Sequence, residues 1–195
     1  IHIVSSRLPI TVKDGQVVPS NGGLVRLWNN YQENKNTKKL GIWFGVDSSV
    51  DQIDNIEQNH QFLIQPLIIQ ESVYHEFYNL YSNSTLWFLL HEMQSLYELP
   101  SEKSWRSYQL VNTLMANLVI SKTALNDTVI INDYHFLCLP RLLKQKRPDL
   151  KIIFYLHTPF PSPESFFKIK ESEILLLSML EAETIGVQTN DIKKN

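Results

Sequence analysis

The chain has 195 residues, 43% of them hydrophobic and 19% charged, with a formal net charge of −2. That length can bury one substantial core, and the composition is that of an ordinary soluble globular protein. The near-neutral charge gives no electrostatic footing for nucleic acid or an anionic membrane. A single cysteine, Cys138, excludes an internal disulfide and fits a reducing compartment; within Phe136-Leu137-Cys138-Leu139-Pro140 it reads as buried and inert. No apolar run approaches the ~20 residues of a membrane-spanning helix, and no signal peptide is visible. Opening on Ile1 inside a strand and stopping abruptly at Asn195, the chain reads as a domain trimmed from a longer sequence.

Strands and helices alternate along it. Ile1 to Val4 is a strand, followed by a long loop carrying Pro9, Gly15 and Pro19. Leu24 to Tyr31 has apolar residues at helical spacing. Leu40 to Val46 is a strand, and Phe62 to Gln70 is an apolar segment broken by Pro66. Glu71 to Leu90 is helical in pieces, with an aromatic stripe of Tyr74, Phe77, Tyr78 and Tyr81. Ser101 caps a helix whose one side carries Trp105, Tyr108, Val111, Leu114, Met115 and Leu118. Val129 to Ile131 is a strand, with a helix from about Phe136 to Gln145. Ile152 to Leu156 is the next strand. Ser162-Pro163-Glu164 then starts a helix with a capping residue, a proline at its first position and an acid in its first turn. A helix over Leu175 to Ala182 and a strand over Thr184 to Val187 close the pattern. Such alternation predicts right-handed βαβ units and one parallel, Rossmann-like α/β sheet with helices on both faces.

Open α/β sheets bind ligands at the carboxyl ends of their strands. Three clusters fall there. His157, held by Pro159, Pro161 and Pro163, is a candidate general base, a donor to a sugar hydroxyl, or a satisfied structural histidine. Asp133 can accept hydrogen bonds from sugar hydroxyls, cap the helix that follows, or do both; His135 can pack on that helix. Arg7, after the first strand, can grip a phosphate through paired hydrogen bonds or simply cap the strand. Gly22 and Gly23 open a helix, where free amides favour a phosphate; the plainer reading is a glycine turn. Tyr78, Trp87, Trp105 and Tyr108 can line a sugar or belong to the core. There is no GxGxxG or P-loop, no zinc-ligand spacing among His2, His60, His75 and His91, and no GxSxG elbow.

Taken together, these blocks resemble the N-terminal half of trehalose-6-phosphate synthases. The resemblance rests on Ser5-Ser6-Arg7-Leu8-Pro9, Ser20-Asn21-Gly22-Gly23-Leu24, Trp43-Phe44-Gly45 and Trp105-Arg106-Ser107-Tyr108-Gln109-Leu110-Val111-Asn112. It continues through Asn132-Asp133-Tyr134-His135, His157-Thr158-Pro159-Phe160-Pro161-Ser162-Pro163-Glu164 and Gly186-Val187-Gln188-Thr189, in the family's order.

That family consists of retaining glycosyltransferases with two Rossmann domains. The resemblance implies a cytoplasmic enzyme that moves glucose from UDP-glucose to glucose 6-phosphate, without cofactor or metal, in trehalose biosynthesis. It implies that residues 1–195 are a single acceptor-binding domain. A C-terminal nucleotide-sugar domain would complete the cleft, so the isolated chain should not turn over. By the same resemblance Arg7, Tyr78, Trp87 and Asp133 bind the acceptor, and Gly22, Gly23 and His157 meet the donor. His157 and Asp133 are the catalytic candidates. Retention in this family is attributed to front-face attack assisted by the leaving phosphate, with no enzyme nucleophile. Ser6, Val46 and Asn132 depart from the family pattern. They leave open a glucosylglycerol-phosphate synthase-like acceptor, or a regulatory sugar-phosphate-binding subunit. A homo-oligomer or a trehalose synthase complex also stays open.

Overall fold

Six short apolar runs become one parallel sheet in a computed structural model, which describes residues 1–13, 16–20, 23–25, 41–48, 62–93, 95–96 and 98–188. The strands are β1 (His2–Val4), β4 (Gly41–Asp47), β5 (Phe62–Ile68), β6 (Thr128–Asn132), β7 (Lys151–Leu156) and β8 (Thr184–Val187). β2 (Ile10–Lys13) and β3 (Gln16–Pro19) form a separate antiparallel pair. In the sheet the order is β5-β4-β1-β6-β7-β8, and every neighbouring pair is parallel. The chain winds outward from β1 to β5, then returns to lay β6 on the other side of β1. This reversal opens a crevice at the carboxyl ends of β1 and β6, where doubly wound sheets hold ligands.

Period-two alternation assigns each strand's side chains to the two faces. Ile3 and Trp43 pack with Val25 and Phe62 on one face. Their neighbours Val4 and Phe44 join Val129, Ile131, Ile152 and Phe154 in the larger core on the other. Helix α1 (Glu71–Tyr74) runs into a π-helical stretch (His75–Leu86) and then α2 (Trp87–Leu90). The long α3 (Glu102–Lys122) starts at Ser101, whose Oγ accepts from Ser104 N at 3.0 Å. Its inner face, Trp105, Tyr108, Val111, Asn112, Met115, Ala116 and Val119, is buried. α4 (Leu139–Lys146), α5 (Pro163–Phe166) and α6 (Ser172–Met179) complete the helices. Among the described residues no helix is long and apolar enough to cross a membrane.

The expected alternation is present, with five local corrections. The loop after β1 contains the β2–β3 hairpin, for which Asp14-Gly15 between β-branched residues is the sequence signal. Pro66 does not break its segment, because β5 is an edge strand, the place in a sheet where proline is tolerated. The helix after β6 begins as a single 3₁₀ turn (Tyr134–Phe136), and α4 starts only at Leu139. α6 ends at Met179, short of Ala182. Glu71 to Leu90 is continuous rather than in pieces, because its middle is π-wound. There Ser82 Oγ and Ser84 Oγ donate to the carbonyls of Phe77 and Asn79, five residues back in each case. Residues 23–25 are helical, and the rest of the expected Leu24–Tyr31 helix lies outside the described residues.

Candidate functional site at the carboxyl edge

Three strand ends are tied together by one asparagine. Asn132, the last residue of β6, donates Nδ2–H to Val4 O of β1 at 3.2 Å. Its Oδ1 lies 3.1 Å from Nε2 of His157, just beyond β7. An amide oxygen only accepts, so His157 carries its proton on Nε2 and Nδ1 is the acceptor nitrogen. Burial lowers the His157 pKa from its usual value and favours the neutral ring, while the Asp133 charge pulls the other way. Of the roles expected for His157, this geometry favours an acceptor over a donor to a sugar. Its donor is engaged by Asn132, and the nitrogen left for a ligand accepts.

Asp133 takes the capping role expected of it. Its Oδ1 accepts from Tyr134 N at 3.1 Å, capping the 3₁₀ turn, and from His157 N at 3.4 Å. Its own N donates to Tyr155 O at 2.8 Å. These bonds hold it at φ 73°, a left-handed conformation that a non-glycine residue adopts only when its surroundings over-determine it. Burial raises the carboxyl pKa above the usual range, while His157 and the two amides oppose that rise.

Arg7 leaves the end of β1 with its backbone pinned. Ser5 Oγ donates to Arg7 O at 2.6 Å and accepts Trp43 Nε1–H at 2.8 Å. A Cβ on Gly45 would stand 2.8 Å from Arg7 C and Leu8 N, so glycine in β4 lets this turn lie against the sheet. The exposed Arg7 guanidinium sits 5.2 Å above the Tyr78 ring, a cation–π contact. Tyr78 stacks on His135 at 5.2 Å, and His135 stacks on Tyr134 at 4.2 Å. The turn bearing these rings is anchored to α3: Tyr108 OH donates to Tyr134 O at 2.7 Å, and Asn112 Nδ2 to His135 O at 3.1 Å. His135 is buried, neither ring nitrogen has a hydrogen-bond partner among the described residues, and burial beside Arg7 lowers its pKa to about 3.

Trp87 stands half-buried at the start of α2, its ring tilted against that of His91 at 4.1 Å between centroids; His91 Nδ1 donates to Trp87 O at 2.7 Å. The His91 charge also acts on Asp133. Trp105 and Tyr108 are core residues, 8% and 0% exposed, so they are not walls of a sugar site. Cys138 is buried with its thiol pKa pushed up to about 12, as an inert cysteine requires. Gly22 lies outside the described residues. At Gly23 a Cβ would meet nothing within 4 Å, so no described protein atom demands a glycine there. Among the described residues no three His, Cys, Asp or Glu side chains group as a metal site.

Sequence reasoning thus located Arg7, Tyr78, Asp133 and His157, and missed the residues that hold them. Asn132 entered only as a departure from a pattern, and His91 only as a histidine without metal spacing. The signal for both was position: Asn132 ends a strand, and His91 follows Trp87 by one helical turn.

Comparison with known proteins adds an independent line. The model of Glycosyltransferase family 20 matches residues 1–195. "Alpha,alpha-trehalose-phosphate synthase [UDP-forming] A" of Dictyostelium discoideum is 32% identical over 203 residues, covering 99% of this chain and 27% of that protein. "Alpha,alpha-trehalose-phosphate synthase [UDP-forming] 2" of Aspergillus niger is 31% identical over 205 residues, covering 99% and 42%. Among solved structures, "Trehalose-6-phosphate from E. coli bound with UDP-2-fluoro glucose" superposes with a TM-score of 0.79 at 26% identity, over 99% of this chain and 40% of that one. A UDP-forming trehalose-phosphate synthase from Burkholderia xenovorans gives 0.80 at 26%, over 99% and 40%. The chain therefore spans well under half the length of the relatives it matches.

Proposed function

Since the chain belongs to glycosyltransferase family 20, we propose that it is the N-terminal, acceptor-binding domain of a UDP-forming trehalose-phosphate synthase. The full protein transfers glucose from UDP-glucose to glucose 6-phosphate with retention, giving trehalose 6-phosphate. Its donor nucleotide is held by a C-terminal domain on the far side of the crevice. The names of the relatives support the donor and the product. The observation that carries the reading is the convergence of Arg7, Asp133 and His157 on the carboxyl edge beside the β1–β6 crevice.

Arg7 takes the acceptor phosphate through charge-assisted bonds, and its cation–π seat on Tyr78 fixes the direction of approach. Asp133 accepts from acceptor hydroxyls, and its strained backbone holds that carboxylate in one geometry. Neutral His157 offers Nδ1 to a hydroxyl of the transferring glucose, with Asn132 setting the ring's tautomer and tilt. Fixed dipoles of this kind stabilise a cation-like sugar without reorganising during the reaction. Trp87 supplies an apolar wall against the acceptor ring, and Gly22 and Gly23 leave backbone open to the donor phosphates. The test is turnover of the full-length protein with UDP-glucose and a panel of glucose 6-phosphate, glycerol 3-phosphate and unphosphorylated glucose. The reading expects a clear preference for glucose 6-phosphate. Preference for glycerol 3-phosphate, or UDP-glucose binding without transfer to any acceptor, would overturn it.

A further inference from the structure

Glu92 ends the helical run that carries Tyr78 and Trp87, and it does so at φ 56°, in the left-handed region. Glycine is the residue that relieves such a position at a helix end. A glutamate there bears a backbone cost that the helix end itself does not explain. Its carboxylate reaches across to the proline-rich loop after β7. Oε1 accepts from Ser162 N at 3.1 Å and from Ser162 Oγ at 2.7 Å. Those two bonds are the leading reason its pKa falls below the usual carboxylate range. Ser162 is the residue before α5, and its hydroxyl makes no cap to that helix; it turns to Glu92 and to Ser165 Oγ at 3.2 Å.

The two ends of this contact belong to opposite parts of the site. Glu92 follows His91, whose ring packs against Trp87. Ser162 lies on the loop that leaves His157. We propose that Glu92 is a positioning residue: its carboxylate latches the helix of Trp87 to the loop of His157 and sets the spacing between the sugar wall and the catalytic histidine. The assignment rests on the functional reading above for its consequence, but not for the contact. It concerns alignment rather than chemistry, because Glu92 touches neither Asp133 nor His157 directly in the hydrogen-bond network.

The test uses the full-length protein with Glu92→Ala, Glu92→Gly, Glu92→Gln, Ser162→Ala and the Glu92→Ala/Ser162→Ala double variant. The latch predicts that alanine and glycine at 92 each lower kcat/KM by about three- to tenfold, glycine even though it relieves the backbone cost at φ 56°. Glutamine, which keeps an acceptor oxygen, restores activity to within about twofold. Ser162→Ala loses part of the effect, and the double variant is no worse than Glu92→Ala alone, the signature of coupled residues. If glycine equals or exceeds the parent, the residue serves only the helix end and the proposal fails. Multiplying losses in the double variant, or unchanged activity in Glu92→Ala, also overturn it. Should the parent itself not turn over, the functional reading fails first. The latch is then judged by amide hydrogen exchange at Ser162, which must accelerate in Glu92→Ala and Glu92→Gly but not in Glu92→Gln.

Discussion

Arg7 shows how a surface residue can be as constrained as a core one. Its backbone carbonyl receives Ser5 Oγ, and its guanidinium rests on Tyr78. Replacing it with alanine should weaken glucose 6-phosphate binding by ~1.5–3 kcal/mol, the range for a hydrogen bond to a charged group. Binding of unphosphorylated glucose should not change. Lysine should recover only part of the loss, since a point charge cannot reproduce the planar fork or its seat on the ring. Calorimetry on both sugars checks this, and equal losses on both would place Arg7 away from the phosphate.

His135 carries the pH dependence at the same scale. Its pKa falls from 6.5 to about 3 in the fold, so the unfolded chain binds a proton that the native state refuses. The stability that depends on a neutral ring is therefore complete above pH 6.5 and declines as the pH falls toward 3. The slope is about 1.4 kcal/mol per pH unit. His135→Phe keeps a ring between Tyr78 and Tyr134 and has nothing to protonate. Thermal unfolding followed from pH 7 downward should show a shallower acid decline in this variant than in the parent. Parallel curves would mean that His135 is not the group responsible.

The elements explain why the site residues stay where they are. The turn after β1 can lie on β4 because Gly45 has no side chain to meet it. Gly45→Ala should push Arg7 outward. We expect the KM for glucose 6-phosphate to rise by about tenfold, the cost of a misplaced charged contact, while the far-ultraviolet circular dichroism stays unchanged. A loss of folded signal would instead make Gly45 a purely structural requirement. Most elements could be read from hydrophobic periodicity, because β1, β6 and β7 are buried runs and α3 repeats its apolar face over many turns. The hairpin of β2 and β3 was readable from Asp14-Gly15 between two short β-branched runs, but the flanking prolines Pro9 and Pro19 make the stretch look like loop. The π-winding of His75–Leu86 escaped because a 3.6-residue pattern does not register i→i+5 backbone bonding.

At the scale of the molecule, the doubly wound order does the assembling. Arg7 and His157 are far apart in sequence, yet the return of β6 to the side of β1 puts their strand ends on one crevice. The types of the site residues were legible because Arg, Asp and His stand directly after apolar runs. Their partnerships were not, since Asn132 joins three strands at once and no local pattern predicts a contact across 128 residues. The chain matches relatives of which it covers 27% to 42%, and in the function proposed above its crevice is the acceptor wall of a larger cleft. This wall is proposed both to hold the acceptor and to present His157 to the glucose in transit. That role is tested most directly by kcat and KM for glucose 6-phosphate in full-length His157→Ala. A fall in kcat of about 100-fold is expected, with KM within about threefold of the parent, the signature of an interaction made in the transition state. A raised KM at unchanged kcat would contradict it and make His157 a simple binding residue.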